Sequence, residues 1–304
     1  MTHRAATKLM LDLPRPPAGT PTPVAHPLGP ALRLGQGPRL LLFHGMSPRA
    51  HQDPRMLDLA RALAAQGLQV WLPHLPDIAA FHIHPRSVDR MAAWLRALRP
   101  RALMSVSFSG GLALQAAART PNTLACAVSI GGFHRVREVA RFLMEDPTAD
   151  SYGRRVLLVN HLRSTGEDTL LMTALLTSLM DEGLQRRPQL HQALQALSPG
   201  QRARYAALTC APSRHWSERI QADDGLHMDA LDLDHARPDC PVLLLHGAGD
   251  RVIPWEQSRS LHQAWPDSHL CVTPLLDHGD LQSFSPRPAW ALHKTLRRLL
   301  SLAR

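Results

Sequence analysis

Apolar residues along this chain fall into two rhythms. Short, mostly apolar runs occur at 40–44, 68–72, 102–106, 124–130 and 241–245, and another begins at 270. Each is too short for an ordinary helix and is bounded by glycine, proline or polar residues, so each reads as a strand buried on both faces. Between them, apolar residues recur at helical spacing over 54–66, 86–98 and 110–119, then from Trp255 to Ala264 and again at the C-terminal end. Alternation of this kind predicts an α/β protein: a mostly parallel central sheet with helices on both faces. The alternation breaks over 134–236, where helical periodicity appears at 135–146, 154–162, 167–181 and 188–196. The third of these carries an apolar stripe: Leu170, Leu171, Ala174, Leu175 and Leu179. Residues 13–38 are rich in proline and glycine and read as an irregular arm or a short edge strand. The expected organisation is an N-terminal arm (1–38), a core in two pieces (39–133 and 237–304) and a helical cap insertion (134–236).

Composition narrows the function classes. The chain has 304 residues and is 44% hydrophobic, enough for one large domain with an insertion. Its net charge is +9, but Lys8 and Lys294 are its only lysines and no basic run is interleaved with aromatics. That argues against nucleic acid as a partner. The four cysteines (Cys126, Cys210, Cys240, Cys271) lack metal-ligand spacing, and a reducing, cytoplasmic setting is the simplest expectation. The first twenty residues carry basic side chains without the apolar core of a signal peptide, and no run of about 20 apolar residues predicts a membrane span. His82 and His84 could share one face of an extended segment. They lack a third ligand and a Glu partner, so no metal is expected. The oligomeric state is not legible.

The candidate chemistry sits at the ends of the apolar runs. Ser105-Val106-Ser107-Phe108-Ser109-Gly110-Gly111 joins a strand to an Ala-rich helix through a serine turn, the layout of a nucleophile elbow. The usual G-x-S-x-G is altered, with serine at both flanking positions. Such a turn crowds the residues two before and two after its centre, and serine is small enough for both. Ser109 also fits as the central residue. Ser107 fits better, because the strand then ends at Val106 and Gly110 and Gly111 let the helix pass close to the sheet. Three further strand ends carry polar residues: Phe43-His44-Gly45-Met46, Gly247-Ala248-Gly249-Asp250, and Leu276-Asp277-His278-Gly279. Taken singly, Asp250 could merely cap a turn and His278 is one of 18 histidines.

In this order the four segments resemble the α/β-hydrolase superfamily, from about Arg39 to the C-terminus apart from the insertion. The elbow and the stretch Trp71-Leu72-Pro73-His74-Leu75-Pro76-Asp77 look like those of bacterial hydrolases of undefined substrate. The resemblance implies a Ser–acid–His order with Ser107 as nucleophile, Asp250 as acid and His278 as general base. It also implies an oxyanion loop at His44 and Gly45, with the N–H groups of Met46 and Phe108 as donors and the His44 ring in a structural role. Asp277 and Asp280 are poorer acids, being sequence neighbours of His278. No aspartate stands at the elbow, which disfavours dehalogenase and epoxide-hydrolase chemistry. The expected function is hydrolysis of a small to medium ester or thioester, or an amide, without a cofactor. The insertion's apolar helices and few fixed charges favour a mostly apolar acyl chain, with Leu170, Leu171, Leu175 and Leu179 as candidate pocket residues. Acyl transfer, carbon–carbon bond hydrolysis and a non-catalytic binding role on the same scaffold are the alternatives.

Overall fold

In a computed structural model describing residues 2–12, 17–181, 187–276 and 286–304, the apolar runs line up as a single eight-stranded sheet. The strands are β1 (Thr22–His26), β2 (Gly29–Leu34), β3 (Arg39–Phe43), β4 (Gln69–Pro73), β5 (Ala102–Val106), β6 (Cys126–Ile130), β7 (Val242–Gly247) and β8 (His269–Thr273). Their spatial order is β1-β2-β4-β3-β5-β6-β7-β8, and β3 to β8 are all parallel. Side chains alternate across the sheet as the pleat requires. In β3, Leu40 and Leu42 enter one core while Leu41 and Phe43 enter the other. Both faces are covered, which is why these strands read as continuous apolar runs.

The core helices before the insertion are α1 (Thr2–Asp12), α2 (Pro54–Ala64), α3 (Pro76–Ala79), α4 (Arg86–Leu98) and α5 (Phe108–Ala118). Asp53 caps α2, its carboxylate accepting the Arg55 N–H at 3.0 Å ahead of Pro54 at the first helical position. Helix α5 is central: every residue from Phe108 to Ala117 is buried, so it shows no amphipathic pattern. The insertion supplies α6 (Val136–Glu145), α7 (Ser151–Thr165), α8 (Thr169–Met180), α9 (Arg187–Gln195), α10 (Pro199–Cys210), α11 (Arg214–Gln221) and α12 (Met228–Leu231), all between β6 and β7. After β7 come α13 (Glu256–Ala264) and α14 (Pro286–Ala303). No helix among the described residues is long and apolar enough to cross a membrane.

Two stretches are more regular than the sequence suggests. The Pro/Gly-rich arm contains the antiparallel hairpin β1–β2, which turns between His26 and Gly29 and extends the sheet beside β4. Pro23 is tolerated because β1 is the edge strand, and Pro30 stands near the start of β2. Helix α1 packs along α14, with Ala6 and Leu9 fully buried. In the insertion, α10, α11 and the short α12 have no counterpart among the predicted helices, although α10 opens with a capping box built from Ser198 and Gln201.

Candidate active site

The elbow is built by close backbone approach. Ser107 directly follows β5 and caps α5 with φ 60° and ψ −141°, a conformation a non-glycine residue adopts at a cost on the order of 1–3 kcal/mol. It is held there on both sides: its N–H donates to the Ile130 carbonyl at 2.7 Å, and its own carbonyl accepts the Gly110 N–H at 2.7 Å. The helix then crosses the β6 end so tightly that a Cβ on Gly110 would lie 2.8 Å from the Gly132 Cα. A Cβ on Gly111 would lie 2.5 Å from the Phe133 ring. The flanking serines are both fully buried and both satisfied: Ser105 Oγ donates to the Val128 carbonyl (3.3 Å) and Ser109 Oγ to the His44 carbonyl (2.7 Å). Serine therefore replaces glycine at these places by finding an acceptor for each hydroxyl. The two candidate frames are physically distinct. Ser109 lies inside α5 and is buried, whereas Ser107 is half-buried at the turn and lines a cavity.

The loop after β3 faces Ser107. A Cβ on Gly45 would stand 3.1 Å from the Ser107 Cβ, so the absence of a side chain permits this approach. Met46 is half-buried beside it, and its carbonyl accepts the Tyr152 hydroxyl at 2.6 Å, tying the loop to α7. Phe108 opens α5, so its N–H has no acceptor within the helix; its ring packs on Phe133 with centroids 4.6 Å apart. The His44 ring is buried and serves the backbone. Nε2 accepts the Leu75 N–H (3.1 Å), which leaves Nδ1 to donate to the Gly45 carbonyl (2.8 Å). Burial pushes its pKa down from 6.5 to about 4, so the ring is neutral at pH 7. Beside it, the His51 and His74 rings lie 5.2 Å apart; burial pushes His51 to about 4 as well. His51 carries no sequence signal of its own, and His74 is marked only as part of the stretch from Trp71 to Asp77.

Asp250 follows β7 and is buried. Its Oδ1 accepts the N–H groups of Val252 (2.9 Å) and Ile253 (3.0 Å), which fixes the carboxylate within the turn. Its Oδ2 lies toward Gly131, where a Cβ would approach to 3.3 Å, and 3.4 Å from His246 Nε2. His246 is fully buried in β7 with both ring nitrogens engaged: Nδ1 with the Ser258 hydroxyl (2.7 Å) and Nε2 with the Ile253 carbonyl (2.8 Å). That arrangement suits a support for the Asp250 turn, not a proton shuttle. Its cue in the sequence is His-Gly at a strand end, the same dipeptide as His44-Gly45. His278, with Asp277 and Asp280, lies outside the described residues.

A cavity of about 600 Å³ opens over Ser107, lined by Gly45 and Met46 on one side and by Tyr152, Arg155, Ser178 and Leu179 of α7 and α8 on the other. The leucine stripe divides. Leu179 lines the cavity. Leu171 and Leu175 are fully buried within the insertion's packing, and Leu170 points to solvent at 49% exposure. The cavity wall also departs from the expected scarcity of charge, since Arg55, Arg155 and Arg251 all line it. Among the described residues no group of three or more His, Cys, Asp or Glu side chains is placed to hold a metal ion. His82, His84 and His227 form only a chain of rings 5.5 Å apart.

A sequence profile described as the alpha/beta hydrolase fold matches residues 38–281. Among solved structures, an alpha/beta hydrolase fold protein from Nakamurella multipartita is 21% identical over 93% of this chain and 99% of its own, with a TM-score of 0.48. A proline iminopeptidase from Mycobacterium smegmatis is 16% identical over 93% and 98%, with a TM-score of 0.48. The acylaminoacyl peptidase of Pyrococcus horikoshii is 11% identical over 96% of this chain, with a TM-score of 0.50; this chain spans 42% of that peptidase. Likeness at these identities is likeness of fold. No curated protein matches the chain. The profile match runs through β3, the elbow and the Asp250 turn, and this chain belongs to the alpha/beta hydrolase fold family.

Proposed function

We propose that the chain is a serine hydrolase that cleaves an ester or thioester of a small to medium, partly apolar substrate through an acyl-enzyme. Ser107 is the nucleophile, His278 the general base that takes its proton, and Asp250 the carboxylate that orients the imidazole and stabilises its charged form. The N–H groups of Met46 and Phe108 receive the oxyanion. Residues 134–236 act as a cap on a core formed by 39–133 and 237–304, and α7 and α8 supply its wall over the serine. His278 passes that proton to the departing alcohol or thiol; in the second half it takes a proton from the attacking water and returns it to Ser107 as the acyl group leaves as the free acid.

One observation carries this reading. Ser107 is held at positive φ at a strand end, lines a cavity and lies against Gly45, while Ser109 is buried with its hydroxyl committed to the His44 carbonyl. Backbone strain retained beside a cavity is characteristic of functional positions. The test is labelling with a fluorophosphonate probe followed by peptide mass spectrometry. Wild-type protein should carry the phosphonate on Ser107, and Ser107→Ala should not be labelled. Absence of labelling on the wild type, or a label that persists in Ser107→Ala, would overturn the assignment.

A further inference from the structure

The cavity over Ser107 is lined by two guanidinium groups, Arg155 and Arg251, that have no carboxylate partner among the described residues. Arg155, on the second turn of α7, is half-buried. Its Nε donates to the Ser151 carbonyl and its Nη1 to Ser178 Oγ, each at 3.2 Å. Ser178 Oγ in turn donates to the Leu175 carbonyl at 2.6 Å, so the hydroxyl that receives Arg155 is itself fixed. Nη2 of Arg155 has no protein acceptor among the described residues. Arg251 stands beside Asp250 at the exposed mouth; its Nε donates to the Thr148 carbonyl at 2.7 Å and both of its terminal nitrogens are similarly unassigned. The two residues are joined through the backbone, since Asp150 N–H donates to the Arg251 carbonyl at 2.7 Å and α7 begins at the next residue.

The carboxylates lining the same cavity do not neutralise this pair. Asp53 is bound in a fork by Arg55, at 3.0 and 2.8 Å. Asp150 caps α7 by accepting the Tyr152 N–H at 2.8 Å. Asp181 closes α8 at its C-terminal end. Neither Arg155 nor Arg251 has a described carboxylate within 4.0 Å, although arginines elsewhere on this protein form ion pairs freely, as in Arg135–Asp234 at 2.8 Å and Arg119–Asp89 at 2.8 Å. A half-buried guanidinium anchored by neutral acceptors, its outer N–H groups turned to a cavity, is arranged to receive an anion bidentately.

We propose that Arg155 and Arg251 form an anion-recognition pair and that the hydrolysed substrate carries a carboxylate apart from the scissile carbonyl. The inference rests on the hydrolase reading for its catalytic consequence, but not for the binding itself. The carboxylate belongs either to the acyl group or to the leaving group, and matched substrate pairs separate the two. The acyl pair is 4-nitrophenyl hydrogen glutarate against its methyl-capped diester. The leaving-group pair is 4-acetoxybenzoate against methyl 4-acetoxybenzoate.

In one of these pairs the wild type should favour the anion in kcat/KM by about tenfold or more, the low end of what a charge-assisted hydrogen bond contributes. Arg155→Gln and Arg251→Gln should each lower that ratio several-fold, Arg155→Lys should retain part of it, and added salt should shrink it. Thermal melting with glutarate alone provides a readout independent of turnover. Glutarate should raise the wild-type Tm and leave the Arg155→Gln/Arg251→Gln double variant unmoved. Ester turnover with no anion preference in either pair and no glutarate shift overturns the anion pair while sparing the hydrolase. A glutarate shift lost in the double variant, without turnover or fluorophosphonate labelling, overturns the hydrolase while sparing the anion pair.

Discussion

The elbow and the helical insertion meet across one cavity, yet they are built on different terms. Around Ser107 the backbone of α5 passes the β6 end so closely that a single added methyl at Gly110 or Gly111 would clash, and each buried hydroxyl has its own acceptor. Identity there is dictated residue by residue. In the insertion, α7 and α8 pack by apolar class: Leu171 and Leu175 fill space that other aliphatic side chains of similar volume could fill, and the residues that reach the cavity are mixed in character. The comparison teaches where specificity can vary. The elbow's geometry is locked by the sheet and its crossing helix, whereas the wall opposite can change residue by residue without disturbing it.

The sharpest way to break this comparison is to exchange roles between the two serines. Ser107→Ala should lower kcat for a p-nitrophenyl ester by roughly ten-thousandfold or more. Ser109→Ala should keep most turnover but lose stability of about 1–3 kcal/mol, because the His44 carbonyl is left without its donor. Turnover and melting temperature on both variants decide the matter. A dead Ser109→Ala beside a normal Ser107→Ala would place the nucleophile in the other frame.

Next in size is Leu171→Ala. Leu171 is fully buried away from the cavity wall, so truncation should cost about 2–5 kcal/mol in unfolding free energy and leave relative preference among acyl chain lengths unchanged. Altered chain-length preference in this variant would show that the insertion's interior and the cavity are one packing unit.

Much of the core was legible because its signals are local. A short apolar run ending in His-Gly, Ser-x-Ser-x-Ser or Gly-x-Gly-Asp has few structural solutions, and the strands at β3, β5, β6 and β7 fall within a residue or two of their predicted ends. What stayed hidden depends on partners distant in sequence. The β1–β2 hairpin was masked by its prolines, of which Pro23 lies on the edge strand and Pro30 near the start of β2. The fourfold leucine stripe predicts a helix but not which neighbour each residue meets, and only Leu179 reaches the cavity. Tyr152 and Arg155 carry no motif at all; they matter because α7 is carried across to the loop after β3. Asp250 illustrates the limit of choosing between roles, since one carboxylate oxygen does cap its turn while the residue is also buried beside His246.

The two regions should also answer pH in opposite senses. His44 and His51, beside the loop after β3, have pKa values pushed by burial from 6.5 to about 4. Between those values the unfolded chain binds protons the folded protein does not, so their contribution is intact above about pH 6.5 and declines as pH falls toward 4. For His44 alone the loss by pH 4.5 is on the order of 2–3 kcal/mol. Asp232, whose carboxylate receives the Val136 N–H where the insertion begins, is raised by burial from 3.8 to about 6. Its folded form holds a proton the unfolded chain releases, so its contribution is present at low pH and is lost as pH rises through 6. Denaturant unfolding at pH 7 and 4.5 should show wild-type stability falling with acid, a shallower fall in His51→Leu and a steeper one in Asp232→Asn. Variants with slopes identical to wild type would mean that neither group is protected as its surroundings indicate.

The smallest effect should come from Leu179, the one stripe residue on the cavity wall. Its side chain is buried at 4% exposure, yet it contributes surface opposite Met46. Leu179→Ala enlarges the space over Ser107 by a few methyl-sized groups. An apolar pocket discriminates by only about 1–3 kcal/mol per methylene, and an open cavity of this kind should use the lower part of that range. The expected result is a graded rise in kcat/KM for longer p-nitrophenyl esters relative to acetate, a few-fold across the series, on top of a stability loss smaller than that of Leu171→Ala. The two leucines lie about two turns apart on the same helix, so each controls for the other. If Leu179→Ala lowers the melting temperature and leaves the chain-length profile flat, α8 is a packing element throughout, and the acyl group lies against the core side of the cavity instead.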